Sequence, residues 1–331
     1  MSALEKAWYD GSRWPLLLYP IEKLFIAVSG ARRTKQESKQ WRAPVPVIVV
    51  GNINVGGTGK SPLVIALIRQ LRDMGYHPGV VSRGYTASPP KYPFSVLPSS
   101  MSKEAGDEPL MIVRRMKVPM VIDPNRVDAC KELLKVHGCD IIISDDGLQH
   151  YAMGRDIEIA VIDSNRGVGN GHCLPVGPLR ELPSRLKEVD MVVVNGDGGF
   201  AYEQAFSMQL LATELVEINS GASQDISMLI KTNVNAVAGI GNPERFYSTL
   251  DELGFTFAKH SFSDHHLFKE MDITFDDGLP VIMTEKDAMK CKGLKTKNRV
   301  YFLRVDAQLP IRFTQQLSEL LRNYKESDIN G

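Results

Sequence analysis

The chain has no excess of charge, no closely paired cysteines and no long apolar run, and each absence removes a class of protein. Lys plus Arg and Asp plus Glu number 39 each in 331 residues. No global field therefore recruits nucleic acid or an anionic surface, and any such attraction must be local. The four cysteines, Cys130, Cys139, Cys173 and Cys291, show no C-x-x-C spacing, which argues against a zinc knuckle or a disulfide framework and favours a reducing, cytoplasmic setting. No uninterrupted apolar stretch reaches the ~20 residues that span a bilayer, and no short leader with a small-residue cleavage site opens the chain. The expectation is a protein that neither spans a membrane nor is exported. Internal repeats and low-complexity tracts are absent too. What is present, 43% hydrophobic and 24% charged residues, suffices for a large core and, at ~100–200 residues per domain, for about two domains.

The amino terminus is unusual. In "WPLLLYPIEKLFIAVSGARR" (14–33), Leu17, Ile21, Leu24, Phe25 and Val28 recur at helical spacing; Trp8 and Trp14 precede them, and Arg32, Arg33, Lys35, Lys39 and Arg42 follow. That composition suits a helix lying in a membrane interface. A helix packed on the protein's own core shows the same periodicity. Pro20 argues against one straight helix through the stretch.

Beyond it, "PVPVIVVG" (44–51) reads as a buried parallel strand, and Leu63, Leu67, Leu71 and Met74 share a helical face. Further strands are expected at 78–84, 118–123, 139–147, 157–163 and 190–196, alternating with helical spacing, which implies a parallel sheet covered on both faces. Residues 86–106, rich in Pro and Ser, read as a long surface loop of the kind that serves a site. The pattern weakens between 200 and 232, and a second α/β series starts at "NAVAGIGNPERFYSTLDELG" (235–254), with a short helix near 267–271. The expected organisation is an amino-terminal helix (1–33), a phosphate-loop domain (34–215) and a smaller α/β domain (216–331).

"GNINVGGTGKSP" (51–62) ends like a phosphate-binding loop. Such a loop works through backbone N–H groups converging on an anion, glycines that keep the nest open, and the positive end of the following helix. Asn54, Val55, Gly56, Gly57, Thr58 and Gly59 would form it; Lys60 would reach the terminal phosphates, and Ser61 would ligate Mg²⁺. Asn54 stands where the usual pattern has Gly, and Asn tolerates left-handed backbone better than other residues with a side chain. In "SDDGLQH" (144–150), Asp145 and Asp146 close an apolar strand as a Walker-B-type acidic pair suited to a hard cation. Asp107 of "GDEP" is chemically suited to act on an acceptor hydroxyl. In "FSDHHLF" (262–268) adjacent histidines project differently, so His265 and His266 fit one base partner better than one shared metal. Arg83, Arg126, Arg180 and Glu181, on charged turns, suit phosphates and their metal.

The ordered set "GNINVGGTGKSP", "SRGY", "GDEP", "SDDGLQH", "GNGHCLPVGPLRE", "GIGNPERF", "FSDHHLF" and "MTEKDAMK" resembles the tetraacyldisaccharide 4′-kinases, the lipid A 4′-kinases of Gram-negative bacteria, from about residue 45 to 290. The resemblance implies a P-loop NTPase-type Rossmann-like domain joined to a smaller Rossmann-like domain, with ATP and Mg²⁺ as cofactors. It implies phosphorylation of the 4′-hydroxyl of a tetraacylated glucosamine disaccharide 1-phosphate, giving lipid IVA at the cytoplasmic face of the inner membrane, with no role for nucleic acid. Asp107 would act on the acceptor hydroxyl with His265 or His266 behind it. Lys60, Ser61, Asp145, Asp146, Glu181 and Arg126 would hold ATP, Mg²⁺ and the transferred phosphate, with His150 near the same place. Ser61 stands where Thr is commoner in the family, and the Asn54 form of the loop is the family's own. A substrate with four acyl chains stays in the bilayer, which turns the reading of the amino-terminal helix towards the interface.

Two other readings compete. A P-loop GTPase usually carries [NT]-K-x-D; "VNGD" (194–197) lacks the Lys and "TEKD" (284–287) has it one position late. An ATPase switch at the membrane would transfer phosphate only to water, and it has no use for a base aimed at an alcohol.

Overall fold

The computed structural model describes residues 3–329. Thirteen strands follow one another along the chain: β1 (Val47–Gly51), β2 (Pro78–Ser82), β3 (Phe94–Ser95), β4 (Met120–Ile122), β5 (Ile141–Asp145), β6 (Ile157–Asp163), β7 (Met191–Asn195), β8 (Phe206–Glu217), β9 (Ser223–Gln224), β10 (Val234–Ala238), β11 (Phe257–Ser261), β12 (Val281–Thr284) and β13 (Val300–Gln308). They form one sheet in the order β11-β10-β12-β13-β8-β7-β6-β1-β5-β2-β4-β3, with β9 beside β8. Pairing is parallel except at β3–β4, β8–β13 and β8–β9.

Both faces are covered, as the unbroken apolar runs predict. Along β1 the side chains alternate: Ile48 and Val50 enter one core cluster, Val47 and Val49 the other. On the first face lie Leu63, Leu67 and Leu71 of α3 (Lys60–Asp73); on the second lie Val127, Cys130 and Leu133 of α6 (Arg126–Val136). The remaining helices are α1 (Ala3–Ala7), α2 (Tyr19–Glu37), α4 (Ser102–Ala105), α5 (Asp107–Met116), α7 (Ser227–Ile230), α8 (Pro243–Glu252), α9 (Glu285–Cys291) and α10 (Ile311–Ile329).

As Pro20 leads one to expect, no single helix runs through 14–33: a 3-10 turn, Trp14–Leu18, ends before it, and α2 begins at Tyr19 with Pro20 in its first turn, where no N–H is needed. Three features differ from the sequence reading. The 86–106 stretch holds β3 and α4, and the short helix near 267–271 is a 3-10 turn at Glu270–Ile273. Position 215 lies inside β8, whose first residues pair in parallel with β7 while Gln209–Glu217 run antiparallel to β13. One strand thus belongs to both lobes, the one built on β1–β7 and the one built on β10–β13.

Helix α2 has two unlike faces. Phe25 and Ile26 pack on the second core cluster, and Glu22, only 2% exposed, accepts from the Cys173 N–H at 2.6 Å and faces His172 Nδ1 at 3.0 Å. Ile21, Leu24 and Val28, with Leu17 of the preceding 3-10 turn, point away and stay exposed. Of the five apolar positions in the sequence stripe, Phe25 alone turns inward.

Candidate active site

The phosphate loop lies between β1 and α3, at the carboxyl end of the sheet. Gly59 (φ 95°) caps α3 and Gly56 (φ 101°) turns the loop, both in the left-handed region that disfavours a Cβ. A Cβ at Gly59 would collide with Asn195, and one at Gly56 would lie 2.8 Å from the Arg166 guanidinium. Asn54 is not left-handed. It is fully buried, donates from Nδ2 to the Gly167 carbonyl at 3.0 Å, and forms a backbone bridge with Leu179. Its side chain ties the loop to the 166–180 segment, so hydrogen bonding explains Asn here better than backbone tolerance. Val55 donates its N–H to the Pro178 carbonyl, and the buried Thr58 offers its carbonyl to Asn195 Nδ2 at 2.9 Å. Gly57 remains exposed and open.

Lys60 lies 3.3 Å from Asn52 Oδ1 and 3.5 Å from Asp146 Oδ1. Asp146 follows β5 at φ 50° and also pairs with Arg180 at 3.2 Å. Burial pushes its carboxyl up, but Lys60, Arg180 and Arg126 outweigh that and hold it below the usual range. Asp145 differs: it is 3% exposed, Oδ1 has no partner among the described residues, and burial beside Glu108 and Asp146 pushes it up to about 7. The two adjacent carboxylates thus stand in opposite electrostatic states. Ser61 Oγ reaches Glu108 at 3.4 Å.

Arg126 opens α6 and is buried; its Nη atoms donate to the Asp123 and Asp146 carbonyls at 3.3 and 3.2 Å, and burial lowers its pKa to about 10. Glu181 takes hydrogen bonds from Tyr151 and from Gln149 Nε2, and Gln149 also accepts from Arg180. It therefore joins the Asp146 cluster through Gln149 and Arg180. His150 Nε2 is buried without a partner among the described residues. Burial, then Arg126, Arg155, Arg32 and Arg83, push its ring down to about 4 and keep it neutral.

The residues expected on the acceptor side come from both lobes. Asp107 starts α5 after Gly106 (φ 83°), is 6% exposed, and accepts from Ser102 Oγ. His265, itself at φ 58°, brings Nδ1 to 3.4 Å from Asp107 Oδ2, and its ring lies 5.5 Å from that of Tyr85. His266 turns away: its Nε2 meets Asp272 at 3.0 Å and its ring stacks on Phe262. The sequence left the two histidines equivalent; one backbone angle separates them.

Sequence reasoning missed several participants. Glu108 links Ser61 to Lys286 (3.1 Å), which also lies 3.9 Å from Asp264, and Lys290 sits 3.8 Å from Asp107 and 2.8 Å from Asp287. Burial lowers the Lys286 pKa, but Glu108 and Asp264 outweigh it and keep the ammonium charged. The signal was in "GDEP" and "MTEKDAMK", where charges stand beside residues needed for the turn.

A family model described as Tetraacyldisaccharide-1-P 4′-kinase matches residues 14–322. Relatives named tetraacyldisaccharide 4′-kinase include one from Alcanivorax borkumensis, 45% identical over 315 residues and covering 95% of each chain. Another, from Legionella pneumophila strain Corby, is 47% identical over 308 residues, covering 92% of this chain and 93% of its own. A crystal structure of LpxK from Aquifex aeolicus in complex with ATP aligns with a TM-score of 0.80 at 25% identity, covering 93% of this chain and 100% of its own. Agreement over almost the whole length, on a fold that gathers a phosphate loop, an acidic strand end and an acid–histidine pair, means that this chain belongs to the tetraacyldisaccharide 4′-kinase family.

Proposed function

We propose that the chain transfers the γ-phosphate of ATP to the 4′-hydroxyl of tetraacyldisaccharide 1-phosphate, with Asp107 and His265 on the acceptor side. The observation that carries this assignment of roles is the Asp107–His265 pair itself. It joins the two lobes beside the phosphate loop, on the side of Ser61 where Glu108 continues from Asp107. Asp107 accepts the hydroxyl proton as the oxygen attacks, and His265, held at 3.4 Å, orients and stabilises the carboxyl. Lys60 and Arg126 bind and orient the transferred phosphate, and the loop N–H groups of Gly56–Gly59 cradle the remaining phosphates of ATP, with Asn54 and Val55 bracing the loop against the 167–179 segment.

The site also fits Mg²⁺. Among the described residues no three His, Cys, Asp or Glu side chains form a closed cage, but a nucleotide-bound Mg²⁺ needs only one or two carboxylates besides phosphate and water. Asp145, with its unpartnered Oδ1 crowded by Glu108 and Asp146, meets that need together with Ser61. Asp146 and Glu181 would complete the surroundings. When bound, the ion would offset phosphate charge during transfer.

The exposed stripe Leu17, Ile21, Leu24 and Val28, followed by the exposed cations Arg32, Lys35 and Lys39, supports docking on the cytoplasmic face of the inner membrane, where the acyl chains of the substrate remain. No helix among the described residues is long and apolar enough to cross a membrane. The test supplies ATP labelled at the γ-position, Mg²⁺ and the tetraacyl disaccharide 1-phosphate in detergent. Label in the lipid is expected. Label found only in free phosphate would instead identify an ATPase switch.

A further inference from the structure

The "GIGNPERF" motif (239–246) has no part in the chemistry above, yet it touches both halves of the site. At its start, Gly239 donates its N–H to Asp287 Oδ2 at 2.9 Å, Asp287 holds Lys290 at 2.8 Å, and Lys290 lies 3.8 Å from Asp107. A Cβ at Gly241 would stand 3.1 Å from the carboxylate of Asp264, the neighbour of His265. At its other end, Arg245 of α8 crosses to the first lobe. Its Nη2 donates to Asn195 Oδ1 at 3.0 Å and its Nη1 to Asp163 Oδ2 at 3.2 Å.

Both partners of Arg245 act on the phosphate loop. Asn195, buried at the end of β7, donates from Nδ2 to the Thr58 carbonyl at 2.9 Å and packs where a Cβ of Gly59 would go. An amide has one donor side and one acceptor side. Because Arg245 occupies the oxygen, the NH₂ must face Thr58. Asp163, also buried, accepts the N–H groups of Asn165 and Arg166 on Oδ1, and the Arg166 guanidinium lies against Gly56. A single guanidinium fork thus fixes the partners of two loop positions, and planar, bidentate geometry is what Arg supplies and Lys does not.

We propose that Arg245 is a positioning residue for the nucleotide: acting through Asn195 and Asp163, it holds the Thr58–Gly59 end of the phosphate loop in its binding geometry and ties it to the turn that bears on Asp107 and His265. This rests on the kinase reading above, in which the loop binds ATP. The readout is chosen to stand apart from transfer. ATP affinity is measured by calorimetry on the full chain without acceptor, alongside kcat and the KM for each substrate.

Loss of this charge-assisted contact in Arg245→Ala should weaken ATP binding and raise the KM for ATP by about tenfold, the order expected for one hydrogen bond to a charged group. The KM for the lipid acceptor should change far less. Asn195→Ala should give a similar loss, and the double variant should lose less ATP affinity than the product of the two single losses, because the two share the Asn195–Thr58 route while Asp163 is a second route open to Arg245 alone. Arg245→Lys, which keeps a cation beside Asp163 but cannot fork to Asn195, should recover melting temperature more than ATP affinity. Unchanged ATP affinity in a folded Arg245→Ala protein overturns the proposal, as do losses that multiply in the double variant. If the wild-type chain binds ATP but phosphorylates no lipid, the kinase reading fails while the binding measurements still judge Arg245.

Discussion

At the residue scale the site depends on which side chains share a proton and which share a charge. Asp107→Ala should lower kcat by about 10²–10⁴-fold, the range for a lost general base, and unchanged turnover would remove Asp107 from that role. His265→Ala should lower kcat as well, whereas His266→Ala should lower the melting temperature through its Asp272 and Phe262 contacts and leave kcat nearly unchanged. Equal kinetic losses for the two histidines would contradict the assignment. His150 gives a pH test. Its folded pKa, near 4, lies below the ordinary histidine value of 6.5, so between those values the unfolded chain binds more protons. Its stabilising contribution is present above about pH 6.5 and is lost as the pH falls through about 4. Urea midpoints of wild type and His150→Gln should therefore differ in their pH dependence across that window, the wild type falling more steeply on acidification; parallel curves would show that the ring is not held neutral by the fold. The sequence disclosed residue types better than their orientations. Lys60, Asp107 and Asp146 were legible because loop and strand-end patterns fix where they stand. The choice of His265 was not, because it turns on a positive φ at a residue other than Gly, and the loop pattern suggests a backbone reason for Asn54 where its side-chain hydrogen bond to Gly167 supplies one.

At the scale of elements, α2 shows how two uses share one helix. Hydrophobic periodicity could not separate a membrane-facing helix from a core-packed one, because both faces are in use. Phe25 and Ile26 pack inward with Glu22 pinned to the 172–173 backbone and ring, while Leu17, Leu24 and Val28 remain outside. Removing the whole helix would therefore expose core and would not isolate docking. Serine at Leu17, Leu24 and Val28 together should abolish sedimentation with vesicles of mixed zwitterionic and anionic phospholipid and leave the melting temperature close to wild type, since exposed positions contribute little to folding. Retained sedimentation would exclude this face as the docking surface. Glu22→Ala should do the reverse. It leaves the buried Cys173 N–H without its acceptor, at a cost of about 1–3 kcal/mol.

At the scale of the whole molecule, the lobes are coupled by more than their order in the chain. Strand β8 changes partner from β7 to β13 within twelve residues. A backbone cut that keeps both sets of pairings would therefore have to fall inside β8, between Met208 and Gln209, and alternating strand–helix patterns could not reveal this because they do not specify which strand pairs with which. A charge cluster, buried at Arg115 and Glu285 and more open at Asp306 and Arg69, closes the same seam. Arg115 of α5, 5% exposed, donates to Glu285 at 2.8 Å, to the Val305 carbonyl at 2.9 Å and to Asp306 at 2.5 Å, and Asp306 also takes Arg69 of α3 at 2.6 Å. Burial lowers the pKa of Arg115, and Glu285 and Asp306 offset that in part. Such clusters contribute little net stability against an apolar alternative, but losing one partner strands the others without a counter-charge. Arg115→Ala should cost about 3–5 kcal/mol, read as a lower urea midpoint. Because β8 is common to both lobes, the loss should appear as an earlier but still single transition, with fluorescence and far-ultraviolet dichroism coincident. Two separated transitions in the variant would mean that the Arg115 cluster, and not the shared strand, holds the lobes in one cooperative unit.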